Sequence, residues 1–338
     1  MPPDTDPQVV MHRQTRAPHG NEGVFMVSFD CEGKWGFADR MTVNHEKSFT
    51  TDRLVEAYRK LLQLLKKKDI GGTFAFVGAF ALPRSAYREH TDWFVAETAN
   101  GQDWMAAFKA DARQGRYEGW FAPEVLQLVM EDGRHEIGSH GFSHIPLGNA
   151  DINAATFHRE MELSSRVGAF YGYKPRTLIY PRNIIGYTDE LRRHGLSGYR
   201  GGKHPSLYRK VANRASEFNI MQSSEPLMAP SGTSPVRIPG SGLLNWRSGM
   251  RKHIPMSVTQ RRWEHALEHA ATVGGAVHIW THPHNFITGS RQFELLEGIL
   301  DVAQEYIQSG RLRNPNQQEY ADLFTADEDV FDTLERSC

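Results

Sequence analysis

Residues 24–30, Val-Phe-Met-Val-Ser-Phe-Asp, form an apolar run that ends on a carboxylate, as a buried strand does. Further on the period changes. Leu54, Val55, Tyr58, Leu61, Leu62 and Leu65 recur at helical spacing, which predicts a helix over 51–68 stopped by Gly71-Gly72. A second strand, 73–77, follows at once, and strand, helix, strand in that order makes a parallel pair. The alternation goes on with a helix from Pro123 to about Asp132, a strand at 136–140, a helix near 153–171 and a strand at 177–180. Further strands are expected at 197–201, 218–222, 235–239 and 276–280, with helices at 258–272 and about 290–308. Seven or eight strands interleaved with helices favour an α/β fold closed as a (β/α) barrel over an open sheet.

Residues 79–121 break this rhythm with Trp93, Trp104, Tyr117, Trp120 and Phe121. They read either as a small packed insertion, the more ordinary outcome, or as an aromatic-walled lid over a substrate. The expected organisation is a flexible N-terminal segment at 1–21, one catalytic domain at 22–310 and a C-terminal tail at 311–338 carrying Asp327, Glu328, Asp329 and Glu335.

Composition narrows the class of protein. Hydrophobic residues make up 39% and charged residues 23% of 338, as in a globular chain able to bury a full core. The formal net charge is -1, and the longest basic run, Lys66-Lys67-Lys68, sits where cations complement a helix C-terminus. A nucleic-acid partner has no support in that balance. No stretch reaches the roughly 18 apolar residues that span a bilayer, and residues 1–20 hold no apolar leader, so a cytoplasmic location is expected. Two cysteines, Cys31 and Cys338, are too few for a disulfide framework.

Three positions at expected strand ends carry the chemistry, and in a parallel barrel such ends converge on one face. Asp30 and Glu32, two apart in an extended segment, point the same way; one could bind a metal while the other takes a proton. His140 and His144, four apart after the strand at 136–140, can aim both imidazoles at one point. Two His and one carboxylate leave metal positions open, as a catalytic site needs. His282, followed by Pro283, lies where the strand at 276–280 ends and can protonate a leaving amine. His135 and His278 read as structural, whereas His284 divides evenly between a supporting partner and plain surface.

The run His135-Glu136-Ile137-Gly138-Ser139-His140-Gly141-Phe142-Ser143-His144 resembles the metal-binding second motif of the polysaccharide deacetylase family, also called the NodB homology domain or carbohydrate esterase family 4. The segment 72–78 is similar to the strand after that family's first motif, and the likeness covers roughly 22–310. It implies a distorted (β/α) barrel. The first motif, usually Thr-Phe-Asp-Asp-Gly, stands here as Ser28-Phe29-Asp30-Cys31-Glu32-Gly33, one residue longer. The resemblance then makes Asp30 the base and Glu32, His140 and His144 the ligands of one divalent metal. Zinc comes first for that ion, with cobalt, nickel, manganese and iron as alternatives. Tyr180-Pro181-Arg182-Asn183 is the nearest match to the third motif, which nominates Arg182, with Arg176 in reserve, to orient Asp30. Tyr180, Asn183, Trp246 and His284 are candidates for substrate contact, Trp246 also as a weak match to the fourth motif. His282 matches the fifth motif's acid.

The function so implied is removal of an N-acyl group, acetyl first, from an amino sugar or glycoconjugate. Rivals are a hydrolase of a non-sugar amide or a formyl group on the same fold, and, further off, a non-catalytic sugar-binding module. A 2-His-1-carboxylate iron oxygenase fits the ligand count but not the strand–helix alternation. A cytoplasmic deacetylase would meet nucleotide-linked or lipid-linked sugars, or small glycosides, before export.

Overall fold

The computed structural model describes residues 22–42, 47–95, 98–201, 222–227 and 235–325. The expected N-terminal segment, nearly all of the strand expected at 218–222 and residues 326–338 lie outside them. The main sheet holds β1 (Gly23–Cys31), β2 (Thr73–Phe76), β5 (Glu136–Ser139), β6 (Thr177–Leu178), β7 (Gly198–Arg200), β8 (Val236–Ile238), β9 (Gly242–Leu243), β10 (Ala276–Thr281) and β11 (Leu312–Arg313). A separate two-stranded hairpin, β3 (Thr98–Ala99) and β4 (Gln102–Asp103), lies in the aromatic insertion. The order across the main sheet is β8-β7-β6-β5-β2-β1-β10-β9, with β11 added to the start of β1, and every pair is parallel. The sheet curls into a half-barrel, and among the described residues no ladder joins β8 to β9.

The long helices fall where the periodicity placed them: α1 (Thr51–Lys68), α2 (Pro123–Asp132), α3 (Ala154–Tyr171), α4 (Met256–Val273) and α5 (Gln292–Gln308). Shorter ones stand at Gly78–Ala81, Arg84–Glu89, Ala106–Arg113 and Asn285–Thr288. In α1 the Thr50 hydroxyl caps the first turn by accepting from the Arg53 N–H, and Asp69 closes the last in a left-handed conformation. None of the described helices is long and apolar enough to cross a membrane.

Alternation along β1 sorts its residues into two environments, because successive side chains of a strand face opposite ways. Phe25, Val27, Phe29 and Cys31 join the main core with Leu54, Tyr58 and Leu61 of α1. Val24 and Met26 face the barrel interior and pack with Val236, Ile238 and Ala276. The same inward row continues through Ser28 to Asp30, so the barrel is apolar at its base and polar, then ionic, toward the strand C-termini.

One expectation is corrected. Residues 312–325 are not tail: β11 pairs with β1, and a further helix, α6 (Gln317–Thr325), inserts Tyr320 and Ala321 into the apolar base. Of the two readings of the insertion at 79–121, the burial of its rings favours the packed one over the open aromatic wall. Phe94, Trp104, Phe108, Trp120 and Phe121 are buried in the main core, and only Trp93 among its tryptophans is half-buried. The Trp120 indole donates to Asp111 at 2.8 Å, and that of Trp104 to the Ser143 carbonyl at 2.9 Å.

Candidate active site

The C-terminal ends of β1, β5 and β10 and the loop after β6 meet around a cavity of about 260 Å3. Its lining includes Asp30, Glu32, His140, His144, Asn183 and His282. Asp30 closes the inward row of β1, and Glu32 follows on the turn beyond it. Glu32 needs the glycine at position 36, since a Cβ there would stand 1.9 Å from its Oε1. His140 and His144 lie on the loop after β5 rather than on a helix. Gly141 and His144 both take positive φ, 74° and 64°, which turns the second imidazole back toward the first. Glu160 of α3 clamps that loop: its carboxylate accepts from the N–H groups of Phe142 and Ser143 and from the Ser143 hydroxyl at 2.6–2.9 Å.

Glu32, His140 and His144 each offer one ligand atom, and the three atoms lie within 4.8 Å of one another. Glu32 Oε2 is 2.8 Å from His144 Nε2 and 3.4 Å from His140 Nε2. The Nδ1 of His140 is 2.7 Å from the Ile179 carbonyl, which can only accept, so this nitrogen carries the proton. The buried Nε2 then presents a lone pair and has no hydrogen-bond partner. A buried acceptor left over beside a carboxylate and a second imidazole is what a metal ligand set requires, and these residues fit a divalent ion. Burial drives the Glu32 carboxyl upward, but His144, His282 and His140 outweigh it and hold its pKa well below the usual range. Burial also lowers His144 to about 4, so its ring is neutral and able to ligate at pH 7.

Asp30 is held by Arg200, not by Arg182. The Arg200 guanidinium donates to both carboxylate oxygens, at 2.6 and 2.8 Å, and also to Ser28 Oγ at 3.1 Å and Asn183 Oδ1 at 2.9 Å. Its plane rests over the Trp280 ring, 4.6 Å from the centroid. Burial raises the Asp30 carboxyl, and the charge and hydrogen bonds of Arg200 reverse this to a net lowering. Arg182 instead donates to the Gly36 carbonyl at 3.0 Å and to Asp39, which places it at the cavity mouth. Arg176 lies away from the cavity lining, so the reserve assignment fails with the first. Arg200 was within reach of the sequence, since it ends the strand expected at 197–201 and strand ends face the site.

His282 lies beside both acids, with Nε2 3.6 Å from Glu32 Oε1 and 3.9 Å from Asp30 Oδ2. His284 is a buried support stacked on His282 at 4.9 Å and packed edge-on to Phe37. Trp246 meets only the far side of this pair, edge-on to His284 at 6.1 Å, and does not line the cavity. Nor does Tyr180, which is buried with its hydroxyl donating to the Gly186 carbonyl at 2.7 Å. Asn183 is the one of these four that reaches the cavity.

A family model described as Polysaccharide deacetylase matches residues 46–196, the stretch from before α1 through β6 that includes both ligand histidines. A solved protein from Mycobacterium smegmatis, named as a candidate polysaccharide deacetylase, superposes with a TM-score of 0.54 at 17% identity over 93% of this chain and 95% of its own. Over residues 46–196 the chain is similar to the polysaccharide deacetylase family. A second such candidate, from Pseudomonas aeruginosa PAO1, superposes with a TM-score of 0.53 at 16% identity, covering 91% and 92% of the two chains. At these identities the two structures speak for the deacetylase fold, a distorted half-barrel. Among curated proteins none matches this chain. Asp30, Arg200 and His282 all fall outside the family match, so the geometry alone brings them to the histidines.

Proposed function

We propose that the protein is a metal-dependent amidohydrolase that removes an N-acyl group, acetyl first, from an amino sugar or glycoconjugate. The observation that carries this reading is the meeting of Asp30 and His282 over the Glu32, His140 and His144 cluster. Those three residues would hold one divalent ion, zinc in first place, which when bound supplies Lewis acidity toward an acyl carbonyl and water. Asp30, kept ionised and fixed in angle by Arg200, takes the proton of the attacking water. His282 stands on the side left open, its side chain 20% exposed, and gives a proton to the departing amine. Amide cleavage needs that proton because an amide anion is a very poor leaving group.

The test pairs metal analysis with acetate release from a panel of N-acetyl sugars. Asp30→Asn should retain its metal and lose about 10²–10⁴ of kcat, the usual share of a positioned base. His282→Ala should cripple amide cleavage but spare an aryl acetate, whose leaving group departs unprotonated. Fully metallated protein that releases acetate from no sugar would sink the sugar reading. Equal loss of ester and amide hydrolysis in His282→Ala would remove His282 as the acid.

A further inference from the structure

The mouth of the cavity carries a charge pattern that deacylation itself does not use. Of the three arginines around the site, Arg200 is consumed by Asp30, Ser28 and Asn183. The other two, Arg40 and Arg182, line the cavity. Arg182 Nη2 donates to Gly36 and Asp39, its guanidinium carbon lies 5.9 Å from the Trp104 ring centre, and its Nε is buried with no hydrogen-bond partner. The Arg40 side chain makes no hydrogen bond or ion pair among the described residues, and its guanidinium carbon lies 5.7 Å from the centre of the Phe37 ring.

These two cations feel each other. Partial burial and the Arg182 charge both lower the Arg40 pKa, against a weaker upward pull from Asp39 and Glu32. Like charges set side by side are unfavourable unless something balances them. Among the described residues Asp39 is the carboxylate ion-paired at the mouth, to Arg182, so there two positive charges face one negative charge. Deeper in, Asp30 already balances Arg200, and Glu32 belongs to the metal cluster. The surplus is therefore local to the mouth, beside the space a sugar would fill.

We infer that Arg40 and Arg182 form a subsite for an anionic group, a phosphate or carboxylate, carried by the acylated amine that enters the cavity. This rests on the deacylase reading above for its location but not for its chemistry. Guanidinium groups suit the role because their planar N–H pairs match the oxygens of phosphate and carboxylate. Arg182 adds its charge at the rim, and Arg40, exposed and lining the cavity, supplies the guanidinium donors. The cavity, about 260 Å3, is near the lower end of the ~300–1,000 Å3 common for small-molecule sites, which suits one sugar unit with a charged substituent.

The test uses the full metal-loaded protein and three probes: neutral N-acetylglucosamine, its 6-phosphate, and N-acetylmuramic acid, which carries a carboxylate. Calorimetric Kd and kcat/KM are measured for each, at low and high salt. At least one anionic probe is expected to be favoured about tenfold or more over the neutral one, with the gap narrowing as salt rises. Which probe wins separates phosphate from carboxylate. Arg40→Gln should shrink the anionic-to-neutral ratio about three- to tenfold, and Arg40→Glu should shrink it further. An anion that merely ligates the metal would keep its advantage in both variants, and that result overturns the subsite. So does a wild-type protein that binds and turns over all three probes alike. If no probe is hydrolysed the deacylase reading falls, while the Kd ratios and their Arg40 dependence still decide the anion subsite.

Discussion

The floor and the mouth of the cavity hold the same kind of group, an arginine beside an aspartate, built in opposite ways. On the floor, Arg200 and Asp30 sit on two strands of one sheet, both nearly fully buried, with a bidentate contact and further partners on either side. At the mouth, Arg182 and Asp39 sit on loops, partly exposed, joined by a single nitrogen. A buried charge must be fully paired because its desolvation is so costly, whereas a partly exposed one keeps water as a partner. The floor is thus over-determined and suited to fixing a base, and the mouth is under-determined and suited to receiving something.

Exchanging the two arginines' fates breaks or sharpens that contrast most strongly. Arg200→Gln removes the influences that lower the Asp30 pKa and leaves burial, which raises it. The acid limb of kcat/KM should therefore move to higher pH, and turnover near pH 7 should fall by about 10²-fold or more. The direction follows from the base having to be ionised: wild type loses activity only as pH falls through a depressed carboxyl pKa, the variant at a higher pH. Arg182→Gln should leave the acid limb in place. Equal shifts in both variants would mean that the two arginines are electrostatically one group.

The floor was legible in the chain and the mouth was not. An apolar run ending in Asp30, and histidines after two other runs, mark strand ends, and parallel strands bring their ends together whatever the loops do. Arg200 met the same criterion, but Arg182 was preferred on its likeness to a motif. Arg182 sits after β6 with φ 60°, turned away from Asp30 toward the loop at 36–39, a direction fixed by tertiary contacts. Glu160 hid similarly, one acid on a helix whose inward face shows only once the His loop is folded against it. Helix α6 hides in the sequence because its polar residues outnumber the two, Tyr320 and Ala321, that plug the barrel.

A second contrast lies between the aromatic insertion and the cavity it borders. Trp120 has no exposed surface, packs edge-on to Trp35 at 4.9 Å and accepts that residue's indole N–H on its own carbonyl at 2.8 Å. Trp120→Ala should cost about 3–5 kcal/mol of stability and change KM little, read from denaturant melts beside steady-state kinetics. A raised KM at unchanged stability would restore the lid reading.

The smallest expected effect concerns what stands beneath the floor. The Pro239 carbonyl lies 2.6 Å from His278 Nδ1 and fixes the proton there, so His278 Nε2 accepts from the Ser28 hydroxyl at 2.9 Å. Ser28 Oγ in turn accepts from Arg200 at 3.1 Å. Burial, with the Arg200 charge, lowers His278 to about 3, so the chain of contacts keeps one protonation state at any working pH. Because the folded pKa lies below the unfolded value, this imidazole costs no stability above about pH 6.5 and an increasing amount as pH falls from there toward about 3. Ser28→Ala orphans His278 Nε2, a loss of about 1–3 kcal/mol. Arg200 keeps its two bonds to Asp30 and the one to Asn183, so kcat should fall only a few-fold and the acid limb should stay put. Paired thermal melts and pH–rate profiles of Ser28→Ala and Arg200→Gln make the comparison. An acid limb displaced as far by the serine as by the arginine would show that Asp30 is set by the whole hydrogen-bonded chain and not by the guanidinium alone.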